Sequence, residues 1–272
     1  GDSSRTMRAT GGRGYILERR VFDRALAGRA AQAGADVCVK TAVTGLLMEA
    51  GRVRGVRIAR ADLLTGAGEA EIEAQVVIAA DGVEAQVGRW AGLDLQLPLA
   101  DTMVCAQYLL AGVDIDPTCT CYTIGHGVAP GGYAWVFPKG EGLANVGLGV
   151  QADLWQELAA PGGAAQGRGS VLGLLTRFIE GRQTLAQGRP VTLIAGNVPV
   201  ALPPTRLTAD GLMLVGDAAR QVDPLTGGGI VNAMAAGQLA AQVAIQAIAA
   251  GDTSAAFLRR YEEGWAQGTG RK

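Results

Sequence analysis

Histidine is almost absent from this 272-residue chain, with His126 the single example. The four cysteines, Cys38, Cys105, Cys119 and Cys121, have neither C-x-x-C spacing nor a histidine partner, so they offer no zinc site. A chain this long does not need disulfide staples, and reduced thiols in a cytoplasmic setting are the expectation. Charge of one sign is also lacking. Lysine and arginine number 24 against 25 acidic residues with no basic stripe, which argues against nucleic acid as a partner. Neither a signal peptide nor an initiator methionine opens the chain, which reads as cut from something longer.

Apolar residues are plentiful at 49%, enough for one large domain or two ordinary ones. Residues 230–250 are apolar enough to suggest a membrane span, but Asn232, Gln238, Gln242 and Gln246 interrupt them. The three glutamines lie four apart, one stripe on a helix, which predicts a core helix with a wet or ligand-facing edge. Just before it, residues 212–215 form a continuous apolar run bounded by glycines, as in a strand covered on both faces. Gly227, Gly228 and Gly229 remove side chains where the helix starts. Three backbone N–H groups and the positive end of the helix dipole can then meet a ligand that becomes negative.

Along the rest of the chain, residues 1–14 read as loop and 15–17 as a short strand. Phe22, Leu26 and Ala30 at helical spacing predict a helix over 20–33, stopped by Gly34, then a strand over 36–40. Residues 44–49 and 52–60 read as a hairpin turning at Ala50-Gly51. Residues 76–80 are a buried-strand run, followed by Asp81-Gly82 and a helix over 84–90. Alternating segments at 102–111, 118–125, 132–138 and 143–150, joined by glycine-rich turns, predict an antiparallel sheet with one covered face. A loop over 161–169 leads into a helix over 170–180. Residues 189–200 are extended, the chain re-enters the first sheet from Leu207, and 254–265 form a last amphipathic helix.

The run GDAARQVDPLTGGGI resembles the second flavin-binding motif of the geranylgeranyl reductase family, flavoproteins related to the p-hydroxybenzoate hydroxylase group. The resemblance implies FAD as cofactor, contacted by Gly216, Asp217, Pro224, Gly227, Gly228, Gly229 and Ile230. Asp217 would bond the ribityl chain and the helix N-terminus would face the flavin pyrimidine edge, where reduction leaves negative charge. Arg19, in an R-x-x-F-D pattern the family carries here, would reach the FAD. AADGVEAQVGRW resembles the family's DG motif, placing Asp81 and Gly82 near the pyrophosphate and ribose, with Ala85 where a serine is typical. PGGYAWVFP fits P-x-x-Y-x-W-x-F-P, a substrate-domain signature continued by Lys139 and Asn145-Val146-Gly147. Tyr133, Trp135 and Phe137 alternate and so share one face of a strand. With Pro138 they would wall a prenyl tunnel, although an aromatic row is ordinarily core packing.

The resemblance implies an α/β (α+β mixed) fold. An incomplete FAD-binding Rossmann-like domain over 1–97 and 205–272 would carry an inserted antiparallel β-sheet substrate domain over 98–204. The strand, G-x-G-x-x-G and helix that normally open such a domain are not found in the sequence, so a raw sheet edge, poor stability or oligomerisation is expected. The implied activity is reduction of carbon–carbon double bonds in a polyprenyl (geranylgeranyl) lipid. An external electron donor, NAD(P)H or ferredoxin-like, and peripheral contact with the cytoplasmic membrane face go with it. His126, Tyr133 and a bound water all stand open as proton donor. Alternatives are an FAD-dependent aromatic hydroxylase or halogenase-type monooxygenase, and a non-catalytic lipid-binding fragment.

Overall fold

The computed structural model describes residues 4–9, 15–62, 66–154, 170–224, 226–268 and 270. The predicted 161–169 loop and most of the predicted 1–14 loop lie outside them. The chain divides into two units, residues 1–25 with 98–198, and residues 26–97 with 199–272.

The first unit is built on a six-stranded sheet. Its strands are β1 (Arg5–Ala9), β6 (Thr102–Ala111), β7 (Thr120–Ile124), β8 (Tyr133–Gly140), β9 (Leu143–Gln151) and β10 (Arg189–Pro199), in the order β1-β7-β8-β9-β6-β10. The pleat sorts side chains by parity. On β8, Ala134, Val136 and Pro138 are buried while Tyr133, Trp135 and Phe137 are half-buried on the other face. On β9, Ala144, Val146, Leu148 and Val150 join the buried face with 0% exposure, so four successive alternate positions make one wall of the core. Helix α3 (Val171–Glu180) supplies the opposing wall through Val171, Leu174, Leu175, Phe178 and Ile179. Its first turn is capped by Ser170, whose Oγ accepts the Gly173 N–H at 3.0 Å. A short helix, α4 (Gln183–Ala186), leads on to β10.

The second unit holds two three-stranded sheets, β2 (Thr41–Glu49), β3 (Arg52–Asp62) and β4 (Gly66–Glu73) in one, and β11 (Thr208–Ala209), β12 (Leu212–Leu214) and β5 (Val77–Ala79) in the other. Leu212, Met213 and Leu214 are each 0% exposed, as the apolar run predicts for a strand covered on both faces. They pair in parallel with Val77, Ile78 and Ala79. Two helices complete this core, α5 (Ile230–Ala250) and α6 (Ala255–Gln267). The buried side of α5 is Ala236, Ala240, Val243, Ala244 and Ala247, small residues that admit close packing. The glutamine stripe is exposed as expected, yet so are Val231, Met234, Ile245 and Ile248. The helix is thus half-covered and not a core helix with one wet edge. By length and hydropathy alone it could also cross a membrane.

Helix α1 (Arg19–Gln32) forms as predicted, but none of its residues is buried. Gly34 follows with a φ of +92°. Other expectations are corrected. Residues 5–9, read as loop, form β1 because β7 offers an open edge, with Arg5 to Ala9 paired antiparallel to Ile124 to Thr120. Residues 15–17 and 36–40, read as strands, join no ladder among the described residues, and each of 36–40 is exposed. A strand is stabilised by its neighbour's main chain, and alternation alone does not supply one. Strand β4, missed because Gly66-Ala67-Gly68-Glu69 has poor strand propensity, pairs with β3 from Gly55–Glu73 to Asp62–Gly66.

Candidate functional site

In the second unit the predicted flavin contacts converge at the carboxyl ends of β5 and β12, two adjacent parallel strands. The Val215 N–H donates to the Ala79 carbonyl at 2.9 Å, holding these ends side by side. Each strand then leads into an acidic turn. Gly82, at φ +76°, follows Asp81, and Gly216, at φ +67°, precedes Asp217. Glycine suits both turns because a Cβ crowds the carbonyl in the left-handed region and strains other residues there. Asp81 Oδ2 accepts the Val87 N–H at 2.9 Å and so caps the short helix α2 (Gln86–Trp90). Ala85 adopts φ +44° where the resemblance implies a serine.

Asp217 lies in the 3-10 turn Gly216–Ala219, half-buried and facing the start of α5. A Cβ placed on Gly229 would come within 3.4 Å of Asp217 Oδ1 and 3.3 Å of Val222 Cγ2, so the glycine permits this approach. Gly229 is the N-cap of α5 and carries no side-chain cap. One sequence expectation is narrowed here. The Gly227 N–H goes to the Asp223 carbonyl at 2.8 Å, and the Gly228 N–H goes to Thr226 Oγ1 at 3.2 Å. Two of the three glycine N–H groups therefore build the loop. The helix N-terminus that can meet an anion begins at Gly229 and Ile230, with Pro224 exposed in the turn before it.

These features fit a flavin: paired acidic turns at parallel strand ends, a glycine-lined approach, and the uncapped N-terminus of a long helix. The turn is held from behind. The Gly216 N–H donates to Gln221 Oε1 at 2.8 Å, and Gln221 Nε2 donates to Tyr261 Oη at 2.7 Å. Sequence reasoning missed both residues, since a glutamine and a tyrosine 40 positions apart carry no local signal.

In the first unit the aromatic row forms a floor on the face opposite α3. Trp135 stacks with Phe137, centroids 6.1 Å apart and planes at 24°, and meets Tyr133 edge-on at 5.8 Å. Tyr122 of β7, unnoticed in the sequence, meets Tyr133 at 5.8 Å and Phe137 at 5.4 Å. The indole N–H donates to Gln107 Oε1 at 2.9 Å. It lies flat because β9 has glycine beneath it, and a Cβ on Gly147 would be 2.5 Å from Trp135 Cζ2. The three rings are half-buried on the sheet face opposite the first unit's core. Pro138 is the exception among the predicted wall residues, buried on the opposite face because it is one residue out of phase. Beside the floor, burial pushes the Cys105 thiol up to about 11, so it stays protonated and unreactive.

Arg19 is also in the first unit, exposed at the start of α1, with its Nε 3.0 Å from Asp23 Oδ1. The residues before it are anchored to the aromatic strand. Lys139, 10% exposed, places Nζ 2.8 Å from Glu18 Oε2 and donates to the Leu17 carbonyl at 3.2 Å. The Lys139 ammonium, first by hydrogen bond and then by charge, holds the Glu18 carboxyl below its ordinary range. His126 is exposed in the turn between β7 and β8. A separate cleft of about 380 Å³ opens on the core side of the sheet, beside Thr123, Val136 and Arg182 and away from the aromatic row.

This arrangement defines the class of the chain, a mixed α/β fold shared with a geranylgeranyl bacteriochlorophyll reductase-like protein and a flavin-dependent brominase. A flavin-dependent brominase superposes with a TM-score of 0.67 at 20% identity, over 92% of this chain and 61% of that chain. Residues 101–198 match the family model for the geranylgeranyl reductase catalytic domain. A geranylgeranyl bacteriochlorophyll reductase-like protein from Thermoplasma acidophilum shares 42% identity with a TM-score of 0.85, covering 95% of this chain and 62% of that one. The digeranylgeranylglycerophospholipid reductase of Methanothrix thermoacetophila is 49% identical over 95% of this chain and 62% of its own length. Across 95% of its length the chain is similar to proteins of the geranylgeranyl reductase family. It spans less than two thirds of the length of these relatives.

Proposed function

We propose that this chain binds FAD through Asp217 and the N-terminus of α5 and takes part in reducing the carbon–carbon double bonds of a prenyl glycerophospholipid. The observation that carries the reading is the aromatic floor of Tyr122, Tyr133, Trp135 and Phe137, displayed on a sheet face away from the core. Flat rings offer large apolar area without unmet polar groups, which suits a prenyl chain. The indole N–H, the one rigid donor in the row, is satisfied by Gln107, so the floor presents its apolar faces.

FAD, when bound, would supply the hydride, and an external donor such as NAD(P)H or a ferredoxin-like protein would supply its electrons. Asp217 orients the ribityl chain as a hydrogen-bond acceptor, while the first turn of α5 offers N–H groups to the charge that reduction leaves. The aromatic floor clamps the prenyl chain and excludes water, without which an isolated alkene accepts hydride poorly. Tyr122 and Tyr133 bring hydroxyl protons into this row, whereas His126 stands exposed in a turn.

The test is incubation of the FAD-loaded chain with a chemical reductant and a digeranylgeranylglycerophospholipid, followed by mass spectrometry of the lipid. Each reduced bond adds two hydrogens. Flavin binding without any gain in lipid mass would refute the prenyl reading, and oxygen inserted into an aromatic substrate would favour the hydroxylase alternative. A lipid substrate also motivates peripheral contact with the cytoplasmic membrane face, and flotation with liposomes that leaves the protein at the bottom of the gradient would oppose it.

A further inference from the structure

Gln221 grips Gly216 at both of its main-chain polar atoms. Its own N–H donates to the Gly216 carbonyl at 3.0 Å, and its side-chain Oε1 accepts the Gly216 N–H at 2.8 Å. The peptide planes on either side of Gly216 are therefore both fixed, and the next residue is Asp217. Only the oxygen of the Gln221 amide can accept from an N–H, so Nε2 must face the other way. There it donates to Tyr261 Oη at 2.7 Å.

Both side chains are deeply buried, Gln221 at 2% exposure and Tyr261 at 0%. Tyr261 belongs to the same apolar core as Leu212, Leu214, Ala219 and Leu258, where an unmatched amide or hydroxyl is costly. An apolar pair of the same volume would fill the space without that risk, which directs attention to what the polar pair holds in place. Burial raises the Tyr261 phenol far above its ordinary value, so it remains a neutral hydroxyl. Helix α6 is thus tied to the glycine whose left-handed φ of +67° aims the Asp217 carboxylate toward Gly229.

We propose that Gln221 and Tyr261 are positioning residues of the flavin site, a buried clasp that sets the Gly216 turn and through it the direction of Asp217. The positioning role rests on the flavin reading of Asp217, whereas the clasp can be read without any flavin present. When Tyr261→Phe removes the hydroxyl, the Gln221 amide loses its anchor and releases the Gly216 N–H. Gln221→Met removes both side-chain bonds at similar volume and leaves the main-chain bond to the Gly216 carbonyl.

The 272-residue chain and both variants are compared by residue-resolved amide exchange in the flavin-free protein, with the β12 amide of Leu214 as an internal reference. The expected result is at least a tenfold rise in Gly216 exchange relative to Leu214, with an upfield shift of the Gly216 amide proton. A general loss of stability would move both amides together. FAD titration should then show about a tenfold weaker affinity in each variant, equivalent to about 1.4 kcal/mol. Gly216 exchange that stays in step with Leu214 overturns the clasp, whatever the flavin does. Selective Gly216 exchange with unchanged FAD affinity overturns the positioning role. Selective exchange in a chain that binds no FAD at all overturns the flavin reading and the positioning role while the hydrogen-bonded clasp stands.

Discussion

Replacing Gly147 by alanine should damage the aromatic floor, and the size of the effect follows from the geometry. The new Cβ would lie 2.5 Å from Trp135 Cζ2, 2.6 Å from Cε2 and 2.8 Å from the Ala106 carbonyl oxygen. Neither neighbour can give way freely. The indole is held by Gln107 and wedged between Tyr133 and Phe137, and Ala106 is paired with Leu148 in the β6–β9 ladder. Overpacking of this kind costs about 1–3 kcal/mol, and lifting the indole off Gln107 adds roughly 1 kcal/mol. Gly147→Ala is therefore expected to lose about 2–4 kcal/mol of stability in urea titration. Gly237→Ala provides the contrast. Gly237 lies inside helix α5 and its Cβ would meet nothing within 4 Å, so alanine should stabilise by about 0.5–1 kcal/mol. Equal stability of Gly147→Ala and wild type would refute the indole's position over β9 and the flat floor built on it.

Gly229→Ala should change stability by less than ~1 kcal/mol, because its φ of −112° suits any residue. By filling the approach beside Asp217, it should weaken FAD binding about tenfold in a fluorescence titration. The Glu18–Lys139 pair predicts a pH effect. Glu18 has its folded value depressed by Lys139, so its contribution is present above the ordinary carboxylate range and is lost as pH falls through the folded value. Lys139→Met should abolish that acid-side loss in a series of melting curves, and an unchanged acid limb would show that the pair makes no contribution.

Much of this was legible in the sequence where the signal is local. The run 212–215 carries its burial in its composition, and Ala50-Gly51 marks the β2–β3 hairpin, with φ of +47° and +81° suited to its tight turn. Alternation placed Tyr133, Trp135 and Phe137 on one face of β8 but could not say which face. That choice is made by α3 and by Gly147 and Gly149, which leave room for an indole on one side only. Pairing partners were likewise illegible. Residues 36–40 alternate like a strand and find no ladder among the described residues, whereas Arg5–Ala9 do not look like one and are recruited by β7. The glycine run was read correctly as a helix start, but side-chain and loop bonds from Asp223 and Thr226 decided how many N–H groups remain for a ligand.

The most direct measurement of the central claim is the visible absorption spectrum of the purified chain and its Asp217→Ala variant after incubation with FAD and removal of free cofactor. A flavin band retained by the wild type and lost from the variant is the predicted result. A colourless wild type, or a band of equal strength in both proteins, would contradict the assignment of Asp217 and the α5 N-terminus as the flavin site.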